Sequence, residues 1–202
     1  MNIFLRELKA HRTGLILWCL GMTALIGASM AKFATYEKAG QSFLQIIGTL
    51  PRSFLVVFGI NGFDLATVSG FYGVMFLYIA VMGAVHAVLL GSNLISKEER
   101  DRTSEFLFAK PVSRAHALTG KLAAGVANIV ALNIITWLSS LYFVGYYGKG
   151  ESVGREVALL MVGLLFLQII FLSIGAVVAG AARKPRFASG RATSIMLVTI
   201  PG

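Results

Sequence analysis

Four stretches of this chain contain no Asp, Glu, Lys or Arg: residues 13–31, 65–96, 122–148 and 157–182, which are 19, 32, 27 and 26 residues long. About 20 apolar residues, rising about 1.5 Å each, cross a hydrocarbon core about 30 Å thick, so each stretch can hold a transmembrane helix. Hydrocarbon offers the backbone no water to bond, and an α-helix satisfies its own N–H and C=O groups. Composition points the same way. Of 202 residues 56% are hydrophobic and 13% charged, against about 45–50% and about 25% in a soluble domain. The expected fold is all-α: one polytopic transmembrane helical bundle over 1–202, with about four complete spans at 13–31, 71–95, 122–147 and 157–182.

The formal charge is +9, which would suit nucleic acid if it were clustered on a soluble face. Its distribution argues otherwise. Lys and Arg number 3 in residues 1–12, 3 in 32–64, 6 in 97–121, 2 in 149–156 and 4 in 183–191. Alternate segments therefore carry 13 and 5, and by the positive-inside rule the 13 lie in the cytoplasm. The basic balance is a topology signal, and nucleic acid is not an expected partner. The chain reads as a multi-pass protein of the plasma membrane with a cytoplasmic N-terminus. Its first apolar run is too long for a cleaved leader and lacks a small-residue cleavage pattern, so it is expected to stay as a signal anchor.

Residues 1–12 place Phe4, Leu5 and Leu8 on one helical face and Arg6, Lys9 and Arg12 on the others, as in an amphipathic helix lying in the interface. A plain basic flank is the alternative. The outer segment after the first span contains Leu50, Pro51 and an apolar run to Gly59, which is too apolar for a solvated loop and too interrupted to span. Gly83, Ala87 and Gly91 stack small residues at a spacing of four, as do Ala123, Ala127 and Ala131, and Ala176 with Gly180. Close helix packing is the expected use. Phe71, Tyr72, Tyr142, Phe143, Tyr146 and Tyr147 stand where an outer aromatic belt belongs. Residues 192–202 read as the start of a fifth span, too short to cross, which suggests a truncated chain.

Catalytic chemistry is missing. There is no Gly-x-x-x-x-Gly-Lys-[Ser/Thr] to cradle phosphates, no His-Glu-x-x-His and no Gly-x-Ser-x-Gly. The single Cys19 allows neither an internal disulfide nor a cysteine metal cluster. No catalytic residue, metal ligand or cofactor is assigned to this chain. His86 is the one ionisable group within the four spans, and without a carboxylate partner it reads as a neutral packing residue rather than a proton carrier. Ser92, Asn93, Asn128, Asn133, Thr136, Ser139, Gln168 and Ser173 need hydrogen-bond partners, either across helices or along a substrate path.

The segment between the second and third spans is the most informative. Ser96 and Glu99 have capping-box spacing, Pro111 ends a helical pattern, and Ser113 can cap the next helix. Between them Phe106, Leu107 and Phe108 sit beside dense mixed charge, which suits either a docking helix or a juxtamembrane helix resting on lipid. The run from Glu99 through Thr103, Glu105, Phe106 and Leu107 to Pro111, Val112, Ser113 and Arg114 resembles the cytoplasmic signature of ABC-2 type transporter permeases. The basic N-terminal helix, the long outer segment with Leu-Pro and this signature occur in that family's order, and the resemblance covers essentially the whole chain. Many members carry Gly before the Thr, where this chain has Arg102.

The resemblance implies a non-catalytic permease that dimerises or pairs with another permease and docks on a separate ATP-binding subunit, where ATP and Mg are expected. It also implies that segment 96–121 couples the two. Phe106 and Leu107 would be its apolar contacts, Glu98, Glu99, Glu105, Arg102 and Arg114 its charges, Thr103 its local organiser and Pro111 its end. Export is the implied direction, and family members usually have six spans. A stand-alone channel or carrier and a non-transporting anchor remain the other classes, and the sequence does not choose a cargo.

Overall fold

The computed structural model describes residues 3–39, 49, 51, 53, 56, 65, 67–100, 114–148 and 153–181, with the backbone alone at 36–39, 97–100 and 114. Four α-helices follow in chain order: α1 Ile3–Ala39, α2 Val68–Arg100, α3 Arg114–Tyr147 and α4 Gly154–Ala181. All four are long and apolar enough to cross a membrane, and among the described residues there is no strand. The protein is a polytopic helical bundle. The expected fifth span at 192–202 lies outside the described residues.

Each helix is longer than the charge-free run that announced it. α1 has 37 residues and takes in 3–12 without a break, so the segment read as an interfacial helix is continuous with the helix of the first span. Nothing there stops a helix, because one Gly14 costs only about 1 kcal/mol relative to Ala. α2 runs through Ser96 to Arg100, and the Ser96 hydroxyl donates to the Ser92 carbonyl one turn back at 2.8 Å. Ser96 is therefore interior to α2 rather than the cap of a new helix. The true cap of α2 is Thr67, whose Oγ1 accepts from Gly70 N at 3.1 Å, the bond that satisfies an orphan donor of the first turn. α3 starts at Arg114, directly after Ser113.

The chain forms two compact units, and every helix contributes to both. The first comprises Met1–Trp18, Gly83–Asn133 and Leu164–Pro201. Here α2 and α4 meet backbone to backbone. A Cβ on Gly91 would overlap the Leu172 carbonyl oxygen, and a Cβ on Gly175 would overlap that of Val88. Gly83 faces Leu164 and Gln168 in the same seam, and Ala87, Leu90, Leu94, Ile129 and Leu172 close into one core cluster with Leu165 and Phe171 against it. Gly83 and Gly91 thus lie against α4, and Ala87 is fully buried between them in sequence.

The stripe expected on α3 is different. Ala123 is exposed and Ala127 and Ala131 are half-buried, while Ala117, Ala124 and Gly125 face inward with Ile129. A Cβ on Gly125 would stand 2.7 Å from Leu94 Cδ1. Two small-residue rows run along α3, and the row that also carries Asn128 and Leu132 is the one buried. On α4, Gly175 makes the close contact, whereas Gly180 is exposed and a Cβ there would meet nothing within 4 Å.

The second unit comprises Cys19–Met82, Ile134–Gly163 and Gly202. Met22, Ile26, Met30 and Phe33 recur one helical turn apart on the buried face of α1. Gly27 takes the Phe143 ring, whose Cζ would lie 2.8 Å from a Cβ there. Phe71 and Tyr72, read as belt residues, are instead buried: Phe71 packs on Phe33 with ring centres 5.3 Å apart, and the Tyr72 hydroxyl donates to Ser140 Oγ at 2.7 Å. Their proximity to the span's end misled, because those first turns of α2 face the bundle. Tyr142 and Tyr146 do stand outward, 66% and 70% exposed and stacked on one another.

Gly91→Ala and Gly175→Ala are expected to destabilise the protein by about 1–3 kcal/mol, the range for forcing atoms into a packed core. Gly163→Ala, with nothing within 4 Å of the new Cβ, is expected to be neutral or slightly stabilising. Unfolding titrations in mixed micelles of the three variants check the difference.

Candidate coupling site

α2 ends at Arg100 and α3 begins at Arg114, so the segment singled out from the sequence is the connection between them. Glu98 and Glu99 fall in the last turn of α2, and Arg114 opens α3, all three placed by backbone. Arg102, Thr103, Glu105, Phe106, Leu107 and Pro111 lie outside the described residues. What the structure does describe is the frame that holds the two ends of the segment.

Lys121 is the centre of that frame. It is buried, and its Nζ donates to the Leu94 carbonyl oxygen at 2.8 Å, from the second turn of α3 across to α2. A buried ammonium is tolerable only where its protons are bonded, and a helix carbonyl has a second lone pair to receive one. The bond therefore fixes the start of α3 against α2 about one and a half turns before α2 ends. Next to Lys121, Gly120 leaves room for α1: a Cβ there would stand 3.4 Å from Ile3 Cγ2 and 3.9 Å from Phe4 N.

The same end of α1 carries a compact charged group. Glu7 is only 1% exposed and its Oε1 accepts from Arg6 Nη2 at 3.0 Å and Nε at 3.3 Å. His11, one turn on, brings Nε2 to 3.8 Å from Glu7 Oε2. Both Lys121 and Glu7 escaped the sequence reading. Each has a signal in the sequence: Glu7 is the one acid among the first 36 residues, and Lys121 is the charge that immediately precedes the 122–148 charge-free run.

Deeper in the same unit lies a layer of polar side chains. His86 of α2 is 3% exposed, with its ring edge-on to Trp18 at 5.2 Å between centres and Asn128 of α3 beside it. Asn133 Nδ2 donates to Gln168 Oε1 at 3.3 Å, joining α3 to α4. In the second unit Thr23 and Ser139 share a 3.0 Å hydrogen bond, and Ser140 donates to the Thr136 carbonyl. Interhelical bonds thus account for Asn133, Ser139 and Gln168 among the polar residues singled out, while Ser173 donates back to the Ile169 carbonyl of its own helix.

Lys121→Met removes a charged donor whose hydrogen bond is worth about 1.5–3 kcal/mol. It is expected to lower stability by that order, whereas Lys9→Met on the exposed side of α1 stays within about 0.5 kcal/mol, as surface changes do. Thermal unfolding in detergent, followed by tryptophan emission, measures both.

Neither a curated protein nor a solved structure gives a significant match to the chain. The model of a protein family described as ABC-2 family transporter protein matches residues 1–201. With four membrane-spanning helices and a match over essentially its whole length, this chain belongs to the ABC-2 transporter family, as a permease-type, multi-pass membrane protein.

Proposed function

We propose that the chain is the permease subunit of an ATP-driven exporter in the plasma membrane, working with a separate ATP-binding subunit. The observation that carries this reading is the family match over residues 1–201, which includes the connection between α2 and α3. The chain has no phosphate-binding loop of its own, so in this reading ATP and Mg bind the partner, and the permease contributes the path and the docking segment.

The connection is the coupling element. Phe106 and Leu107 enter an apolar groove on the ATPase, and Glu98, Glu99, Arg102, Glu105 and Arg114 set the register by charge, as complementary charges do at interfaces. Thr103 organises the local turn, and Pro111 ends the element by removing a backbone donor. The cytoplasmic N-terminus follows from the excess of Lys and Arg in the segments on that side. Two such permeases face each other, and closure of the ATPase pair drives the coupling segments and tilts the helices, moving cargo outward. Work on the segment reaches α2 and α3 through the Lys121 to Leu94 bond.

Purification of the tagged native protein in mild detergent is expected to bring down an ATP-binding subunit in stoichiometric amount, identified by mass spectrometry. Its reproducible absence would leave a stand-alone carrier or an anchor as the better account. In the reconstituted complex, the double substitution Glu105→Ala with Phe106→Ala is expected to abolish stimulation of the ATPase by the permease while leaving its unfolding temperature unchanged. Unchanged stimulation would remove those two residues from the coupling contact.

A further inference from the structure

Four buried polar atoms of the first unit have no hydrogen-bond partner: His86 Nδ1, Ser92 Oγ, Asn128 Oδ1 and Gln168 Nε2. Their residues are 0–3% exposed. Nearly all buried polar atoms in folded proteins bond to protein or to ordered water, and a lone polar group in an apolar interior is unfavourable. Four together on three adjoining helices call for a partner beyond the described side chains.

Three of the four lie close together. Asn128 adjoins His86. Gln168 Nε2 lies 3.2 Å from the place a Cβ on Gly83 would occupy, and Gly83 is three residues, about one helical turn, before His86. Gln168 is held there because its Oε1 accepts from Asn133 of α3, and its Nε2 is the atom left to donate. An acceptor, a donor and an imidazole nitrogen able to play either part are thus gathered within about one turn of α2. Ser92, also buried, lies six residues further along α2 on a different side of the helix.

We propose that His86, Asn128 and Gln168 form an internal site for a small uncharged hydroxyl or amide group. Such a group donates to Asn128 Oδ1 and accepts from Gln168 Nε2, which a bare ion cannot do at once. No Asp, Glu, Lys or Arg lies in the charge-free runs that supply these residues, so the chemistry selects neutral hydrogen-bonding ligands over ions. Two sources have this chemistry: ordered water, which bridges buried polar groups with two to four bonds, and the polar part of a transported molecule. The second source rests on the permease reading above, and the first does not.

The test uses the full chain in lipid nanodiscs, with hydroxyl radicals generated by X-rays from the water present and oxidation mapped by mass spectrometry. His86 is expected to oxidise faster, relative to its intrinsic reactivity, than Phe33 and Phe71, a buried pair of the second unit. The double variant Asn128→Leu with Gln168→Met is expected to slow oxidation at His86 several-fold. A rate at His86, relative to its intrinsic reactivity, no greater than at the Phe pair, or one unchanged by the substitutions, would overturn the proposal; if the variant does not fold, the wild-type comparison decides. Asn128→Cys in a Cys19→Ser background, treated with 2-aminoethyl methanethiosulfonate, separates the sources. Modification there, with the oxidation, supports a route wide enough for cargo, and oxidation without modification supports the site with water in it. Neither measurement needs the ATPase, so a failed partner search and a dry site give different results.

Discussion

Contact between the backbones of α2 and α4 at Gly91 and Gly175 organises the first unit, because in lipid it does the work that water does for a soluble core. Lipid tails are as apolar as Leu, so helices gain nothing by hiding apolar side chains from them, and association depends on close van der Waals contact and interhelical hydrogen bonds. Gly91 meets the Leu172 carbonyl and Gly175 meets that of Val88, a reciprocal pair three residues apart on α2 and on α4. The neighbours follow from that closeness. With no side chains between the two helices, Leu94 and Leu172 reach past the contact to Gly125 and Ile129 of α3, which completes the cluster.

The outward faces obey the complementary rule. Val126, Val130, Ile134, Leu138, Tyr142 and Tyr146 repeat every four residues along α3 and are all exposed. In water such a ridge would be a liability, whereas in a bilayer it is ordinary solvent contact. This is why the number and type of elements were legible from charge alone: hydrocarbon tolerates almost no ionised group, so the charge-free runs at 13–31, 65–96, 122–148 and 157–182 each lie within or overlap a helix. Helix ends were not legible, because the same backbone continues into the polar interface wherever no residue stops it. α1 begins well before Thr13, and α2 passes through Ser96 although that residue has the spacing of a cap.

Faces were harder still. Spacing of four finds every row of small residues on a helix, but hydrophobicity no longer says which row points inward when the solvent is itself apolar. On α2 Gly83 and Gly91 make close contacts and Ala87 is buried, although Ala80 and Ala84 offer another row; on α3 the Ala123 row competes with one containing Ala117, Ala124 and Asn128, and the second is the one buried. Position along the span gave the same ambiguity for aromatic residues. Tyr72 and Tyr142 both stand near the end of an apolar run, yet Tyr72 has a Ser140 hydroxyl to bond and turns in, whereas Tyr142 stacks on Tyr146 and turns out. Buried polar partners, more than apolar residues, orient these helices.

The same principle bears on how a permease of this kind can move. A seam between apolar surfaces in lipid can slide, since a side chain that leaves its neighbouring helix is met by a lipid chain of equal polarity. Bonds such as Lys121 to Leu94 and Asn133 to Gln168 cannot be exchanged in that way, because lipid tails offer neither donor nor acceptor. Elements joined by such bonds travel together, and relative motion falls where only apolar surfaces meet. Lys121 joins the start of α3 to α2 on the same side as the coupling segment that connects them, so in the proposed cycle a push on that segment is delivered to the two helices as a pair. The pivot then has to lie elsewhere, along seams where contact is close but unbonded. Asn133 ties α3 to α4 as Lys121 ties it to α2, so within the first unit the three helices move as one group, and the close α2–α4 contact at Gly91 and Gly175 is held rather than free to slide.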